Sequence, residues 1–148
     1  MYTSYFQQLL PALQVAKMPR DLYLKPNIPE RKLIGALDSY AHILEAQPQK
    51  VFFLYDSTFW GGAEDGFVIT SDLHLYGRRN SHTLRFQLPL LTSMMHDVEP
   101  EKDSANLFVD GTEVLYASMP KCRWFQHLFE RLKERSLDFS DPIFQQAN

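Results

Sequence analysis

The sequence predicts a single α+β domain: a helical N-terminal segment, about seven antiparallel strands and one C-terminal amphipathic helix. Apolar residues recur at helical spacing up to residue 47 and alternate with period two between residues 50 and 118. Helical spacing then returns after Pro120. Asp65-Gly66 and Asp110-Gly111 punctuate the alternating region as turn dipeptides. A chain of 148 residues buries roughly two-thirds of its unfolded surface, which suits one core and not two.

Phe6, Leu9, Leu10 and Leu13 share one helical face. Pro11 lies inside that run and removes an amide donor, which predicts a kink or two short helices. Pro19, Pro26 and Pro29 mark an extended connector. Pro29 suits a first helical position, and Glu30 favours the positive end of the helix dipole. Leu33, Ile34, Leu37, Ala41 and Leu44 carry an apolar face to Gln47, where Pro48 ends the helix.

Val51 to Tyr55 is apolar on both faces, which predicts a strand covered on both sides. Phe67 to Thr70 follows the Asp65-Gly66 turn. Leu73, Leu75 and Gly77 alternate with polar neighbours, as do Leu84, Phe86 and Leu88. A short strand is expected over Met94 to Val98, then a charged loop over Pro100 to Ser104. Asn106 to Val109 and Thr112 to Ala117 flank Asp110-Gly111, the signal of a type I′ hairpin. Pro120 opens the last helix, with Cys122, Phe125, Leu128, Phe129 and Leu132 as its apolar stripe. Lys133 and Arg135 suit its C-terminal end. In the tail, Phe139, Ile143 and Phe144 are placed to dock on the body.

Composition excludes some functions. Eighteen acidic against fifteen basic residues leave a net charge of −3, which argues against a dedicated nucleic-acid binder. The lone Cys122 forms no internal disulfide and no thiolate zinc site. No stretch approaches the ~20 apolar residues a transmembrane helix needs. Gln7, Gln8 and Gln14 interrupt what would be a signal-peptide core, so the expected compartment is the cytoplasm.

Gly66-Phe67-Val68-Ile69-Thr70-Ser71-Asp72-Leu73-His74-Leu75-Tyr76 resembles a hairpin of bacterial pleckstrin-homology-like, GRAM-type domains. Upstream, Phe53-Leu54-Tyr55-Asp56-Ser57-Thr58-Phe59-Trp60-Gly61-Gly62-Ala63-Glu64-Asp65-Gly66 is similar to the opening of a bacterial subgroup of that family. In that subgroup an Ile-Pro pair introduces a leading helix, and Ile28-Pro29 matches it. The resemblance implies a split β-barrel plugged by the C-terminal helix. Phe125, Leu128, Phe129 and Leu132 would then face Phe52 or Phe53, Phe67, Ile69, Leu84 and Phe86. It divides the chain into an N-terminal helical extension (1–27), the domain with its leading helix (28–135) and a tail (136–148). Trp60-Gly61-Gly62 makes the loop more aromatic than the family pattern.

Asp56, Glu64 and Asp65 flank this loop, and paired carboxylates perform acid–base chemistry. The same residue types cap turns, which is the favoured reading here. His42, His74, His82, His96 and His127 show no ligand spacing, although His74 and His82 fall on neighbouring strands of one hairpin. Cys122 on an apolar stripe reads as a buried small hydrophobe. Arg78, Arg79, Arg85 and Lys50 form the nearest approach to a basic patch, but the acidic loop beside it opposes an anionic headgroup.

Phe59 and Trp60, bounded by Gly61 and Gly62, are the best functional candidates: their loop either folds back to cap the barrel, as large apolar side chains more often do, or presents a binding surface. The function expected is a non-catalytic module of a bacterial protein, binding a protein or peptide without cofactor or metal. Lipid or small-molecule binding through the barrel mouth is the alternative, and a hydrolase built on Asp56, Glu64 and Asp65 ranks below it. Neither nucleic acid nor membrane is an expected partner. Tyr2, Tyr5, Phe6, Leu9, Leu10, Leu13 and Val15 pack on their own barrel or form a homodimer contact through residues 2–15.

Overall fold

Val51–Asp56, apolar on both faces, becomes a strand with every residue buried. It is the second of five strands in an antiparallel sheet of sequential order: Leu22–Leu24 (β1), Val51–Asp56 (β2), Gly66–Thr70 (β3), His74–Arg79 (β4) and His82–Gln87 (β5). The structure is a computed structural model and describes residues 2–41, 47–58 and 61–146. A second antiparallel sheet has the order Met94–Glu99 (β6), Ser104–Val109 (β7) and Thr112–Ser118 (β8). With the C-terminal helix these sheets make the chain α+β. Two compact units result, Asp21–Gln87 and Thr3–Arg20 together with the chain from Leu88 onward.

In the first unit, the connector expected between Pro19 and Pro29 contains a strand. β1 pairs with β2 through Leu22↔Tyr55 and Leu24↔Phe53. Three residues are too few to show an alternating pattern, so the sequence carried no strand signal here. Asn80 and Ser81 both take positive φ, 51° and 66°, and join β4 to β5 with Arg79 opposite His82.

The leading helix also differs from its expected form. It is α-helical over Glu30–Ala36 (α2) and continues as a π-type turn over Leu37–Ala41. Residues 42–46, including His42 and Leu44, lie outside the described residues. Its buried positions are Lys32, Ala36 and Tyr40, while Ile34 is half exposed. Leu33 and Leu37 pack at the margin of a core made by Ala36, Tyr40, Val51, Leu54, Ala63, Val68 and Tyr76. The helix is therefore rotated from the face its aliphatic residues suggest, and it points a lysine inward.

In the second unit, Asp110 and Gly111 have φ of 48° and 83°, both positive as a type I′ turn requires, and join β7 to β8. Helix α3 spans Met119–Glu134, with the Ser118 hydroxyl accepting from Lys121 N and Arg135 closing it in the left-handed region. Its buried stripe is the expected Cys122, Phe125, Leu128, Phe129 and Leu132, joined by Trp124. The stripe packs against β6, β7 and β8.

The N-terminal segment is one helix, Tyr2–Leu13 (α1), rather than two short ones. Pro11 falls in its last turn, so the single bond its missing amide would donate, to the Gln7 carbonyl, is lost only where the helix is about to end. Phe6, Leu9 and Leu13 are buried. Tyr5 Oη donates to the Ser136 carbonyl at 3.0 Å, and Lys17 N donates to Phe144 O at 2.7 Å. The tail is docked as expected, with Phe139, Ile143 and Phe144 buried and the Trp124 and Phe144 rings edge-to-face at 5.4 Å. Among the described residues no helix is long and apolar enough to cross a membrane.

Candidate functional site

Asp56 ends a strand that is otherwise wholly apolar, so its carboxylate is drawn into the core and needs partners there. Lys32 supplies the first. Its Nζ donates to Asp56 Oδ2 at 2.5 Å and to the Gly61 carbonyl at 3.0 Å. Thr58 supplies the rest: its backbone N and its hydroxyl donate to Asp56 Oδ1 at 2.9 and 2.5 Å. The Thr58 hydroxyl in turn accepts from Ala63 N at 3.3 Å, and Ala63 is fully buried. The Lys32 ammonium also lies 5.4 Å from the Tyr23 ring centroid on β1.

These bonds hold the loop between β2 and β3 from both ends. Gly61 needs its positive φ of 79° to turn its carbonyl toward Lys32. Gly35 on α2 permits the closest approach, because a Cβ there would overlap the Gly62 carbonyl oxygen. The stem of the loop is thus bonded to α2 and to its own parent strand. Phe59 and Trp60, the residues singled out for binding, lie outside the described residues.

Burial by itself pushes the Asp56 carboxyl up, but the hydrogen bonds from Lys32 and Thr58, with the lysine charge, outweigh it and hold the acid below its ordinary range. Burial pushes Lys32 down, and the hydrogen bond and charge of Asp56 reverse this, leaving the amine above its ordinary value. Both groups are therefore charged at neutral pH. Tyr40 contributes a buried hydroxyl to the same core, with no hydrogen-bond partner among the described residues. Burial, followed by the charges of Asp56 and Asp65, raises its phenol well above the usual range.

The three candidate carboxylates do different things. Asp56 is held by Lys32 and Thr58, Asp65 lies 3.5 Å from Arg78 Nε, and Glu64 is exposed. Three hydrogen bonds fill most of the acceptor positions of the Asp56 carboxylate, and its side chain is only 1% exposed, so it is poorly placed to take a substrate proton. Of the basic residues, Lys50 pairs with Asp72 at 3.2 Å and the Arg85 guanidinium lies 5.6 Å from the Tyr76 ring centroid. His74 and His82 do not meet across their hairpin, because His74 faces Gln87 and His82 faces Arg79. His74 Nδ1 instead contacts Tyr76 Oη at 2.9 Å. Among the described residues no group of three His, Cys, Asp or Glu is placed to hold a metal ion.

Cys122 is buried, and its Sγ donates to the Ala105 carbonyl at 3.3 Å. Burial pushes its thiol up to about 11, against smaller opposing effects from Ala117 and Lys121.

Lys32 was missed by sequence reasoning. Two signals pointed to it: its i, i+4, i+8 relation to Ala36 and Tyr40, and an acid closing the apolar strand Val51–Asp56. No family model, curated protein or solved structure matches the chain.

Proposed function

We propose that the protein is a non-catalytic interaction module that presents Phe59 and Trp60 to a protein or peptide partner. The single observation supporting this reading is the anchoring of the loop stem by the buried Lys32–Asp56 pair. A fixed stem lowers the ordering cost of binding, because Thr58, Gly61 and Ala63 are already held by hydrogen bonds. The engagement of Asp56 by Lys32 and Thr58 counts against the hydrolase alternative. The pairing of Arg78 with Asp65 and of Lys50 with Asp72 counts against headgroup binding at this end of the sheet.

We further propose that the fold is a pleckstrin-homology-like split barrel of the GRAM type. The support is the element order, two antiparallel meanders followed by one amphipathic helix, together with the hairpin residues 66–76.

Affinity capture from the native host tests the function. Wild type and the double variant Phe59→Ala/Trp60→Ala are compared at matched melting temperature, with anionic and neutral vesicles as separate arms. A protein retained by wild type and lost by the double variant is the expected result. Equal recovery by both, or retention on anionic vesicles alone, overturns the reading.

A further inference from the structure

The three-stranded sheet has two unlike faces. One buries Ala105, Leu107 and Val109 of β7 on the side where Cys122 of α3 donates to the Ala105 carbonyl. The other is set by the ladder register, which aligns Met95 with Phe108 and Glu113, and Asp97 with Asn106 and Tyr116. These two adjacent rows alternate with the buried positions of β7, so their side chains share the outer face. Met95 is 60% and Tyr116 39% exposed, and Phe108 is half-buried between the neighbouring strands.

Charge is concentrated in the same segment, on its strands at Asp97, Glu99 and Glu113 and in its turns at Glu101, Asp103 and Asp110. Residues 94–118 hold six acidic residues (Asp97, Glu99, Glu101, Asp103, Asp110 and Glu113) and one basic residue, Lys102. The segment is therefore more negative than the whole chain, whose net charge is −3. Lys102 is committed to Glu99 at 3.4 Å. Two depressions lie along β6. One of about 350 Å³ is lined by Met95, His96, Asp97, Phe108 and Gly111. The other, of about 380 Å³, is lined by Glu99, Pro100, Glu101 and Lys102.

We infer that this outer face docks a cationic, apolar-bearing segment of another protein, with Met95, Phe108 and Tyr116 taking its apolar side chains and Asp97 receiving its Lys or Arg. The chemistry selects that occupant. Long basic side chains lay an aliphatic stem on apolar surface while their charged head reaches an acid. Met and aromatic residues at an exposed patch supply adaptable contact area. A second copy of this chain, docked face to face about a two-fold axis, would set Asp97 and Glu113 against like charges. The inference rests on the reading of the protein as an interaction module, but not on the Phe59–Trp60 loop.

Fluorescence anisotropy on the full chain tests it, with a labelled, N-acetylated peptide alternating Lys with Leu and Val as the probe. A control peptide of the same charge carries Ser in place of Leu and Val. Saturable binding of the Lys-Leu/Val peptide is expected, weakened at least tenfold by Asp97→Lys and by Met95→Ser, and weaker at high salt. Both substitutions are at exposed positions, so unchanged melting temperatures exclude misfolding as the cause. Equal binding of the Ser-containing peptide, insensitivity to both variants, or no saturable binding overturns the inference. So does a dimer in light scattering that Asp97→Lys abolishes. Peptide binding lost in Phe59→Ala/Trp60→Ala but kept in Asp97→Lys and Met95→Ser refutes this face while leaving the interaction-module reading standing.

Discussion

Lys32 Nζ and Asp56 Oδ2 are 2.5 Å apart, with the two side chains 10% and 1% exposed. The pair joins a helix to the end of a strand across 24 positions of sequence and carries the loop between β2 and β3 on its remaining bonds. Its energetics follow from isolation. Two charges removed from water are tolerable together, and either one alone is not.

Removing one partner should therefore cost more than removing both is expected to add. Lys32→Met and Asp56→Asn should each destabilise by about 3–5 kcal/mol, and the double variant by clearly less than their sum. Urea denaturation of the four proteins in the cycle measures the coupling directly. Additive losses would show that the ion pair is energetically idle.

The same pair predicts a pH dependence. The folded Asp56 carboxyl sits below its ordinary value of 3.8, so its contribution is complete above that value and disappears as pH falls through the lower folded one. Wild type should lose stability between pH 4 and more acidic solution more steeply than Asp56→Asn. Lys32 titrates above its ordinary 10.5 when folded, so while Asp56 is ionised its contribution is complete below 10.5 and is lost as pH rises through the higher folded value. Denaturation midpoints across both ranges read the two limbs.

Gly35→Ala should destabilise, against the helix-propensity expectation. In an exposed helix the change stabilises by up to about 1 kcal/mol. Here the new methyl overlaps the Gly62 carbonyl oxygen, backbone that cannot swing aside. Overpacking of this kind costs about 1–3 kcal/mol. A thermal melt gives the sign.

Deleting residues 2–18 removes Phe6, Leu9 and Leu13 from a buried face, together with the bonds from Tyr5 to Ser136 and from Lys17 to Phe144. The expected result is a poorly soluble or dye-binding product, because burying such side chains stabilises by about 1.5–3 kcal/mol each. A well-folded truncation that merely changes from dimer to monomer in light scattering would move these residues from a packing role to an interface.

Cys122 should resist a thiol reagent at neutral pH in the native protein and react fully in denaturant. Its thiol is buried and raised to about 11, which leaves almost no thiolate. Fast native labelling would contradict both burial and titration.

The sequence by itself determined the element types, because periodicity is a local property. The strands over residues 51–118, the Asp110-Gly111 turn and the α3 stripe all follow from spacing and turn chemistry. It also placed Phe139, Ile143 and Phe144 on the body, because a short tail with three large apolar side chains has reason to bury them. Only the tertiary structure decided what depends on partners distant in the chain. β1 is a strand because β2 offers it a ladder, not because Leu22–Leu24 has a pattern of its own. α1 remains one helix past Pro11 because Phe6, Leu9 and Leu13 are buried in the packed chain. α2 turns Lys32 inward and Ile34 outward because a carboxylate at the end of β2 requires a cation, a need that no window of neighbouring residues contains.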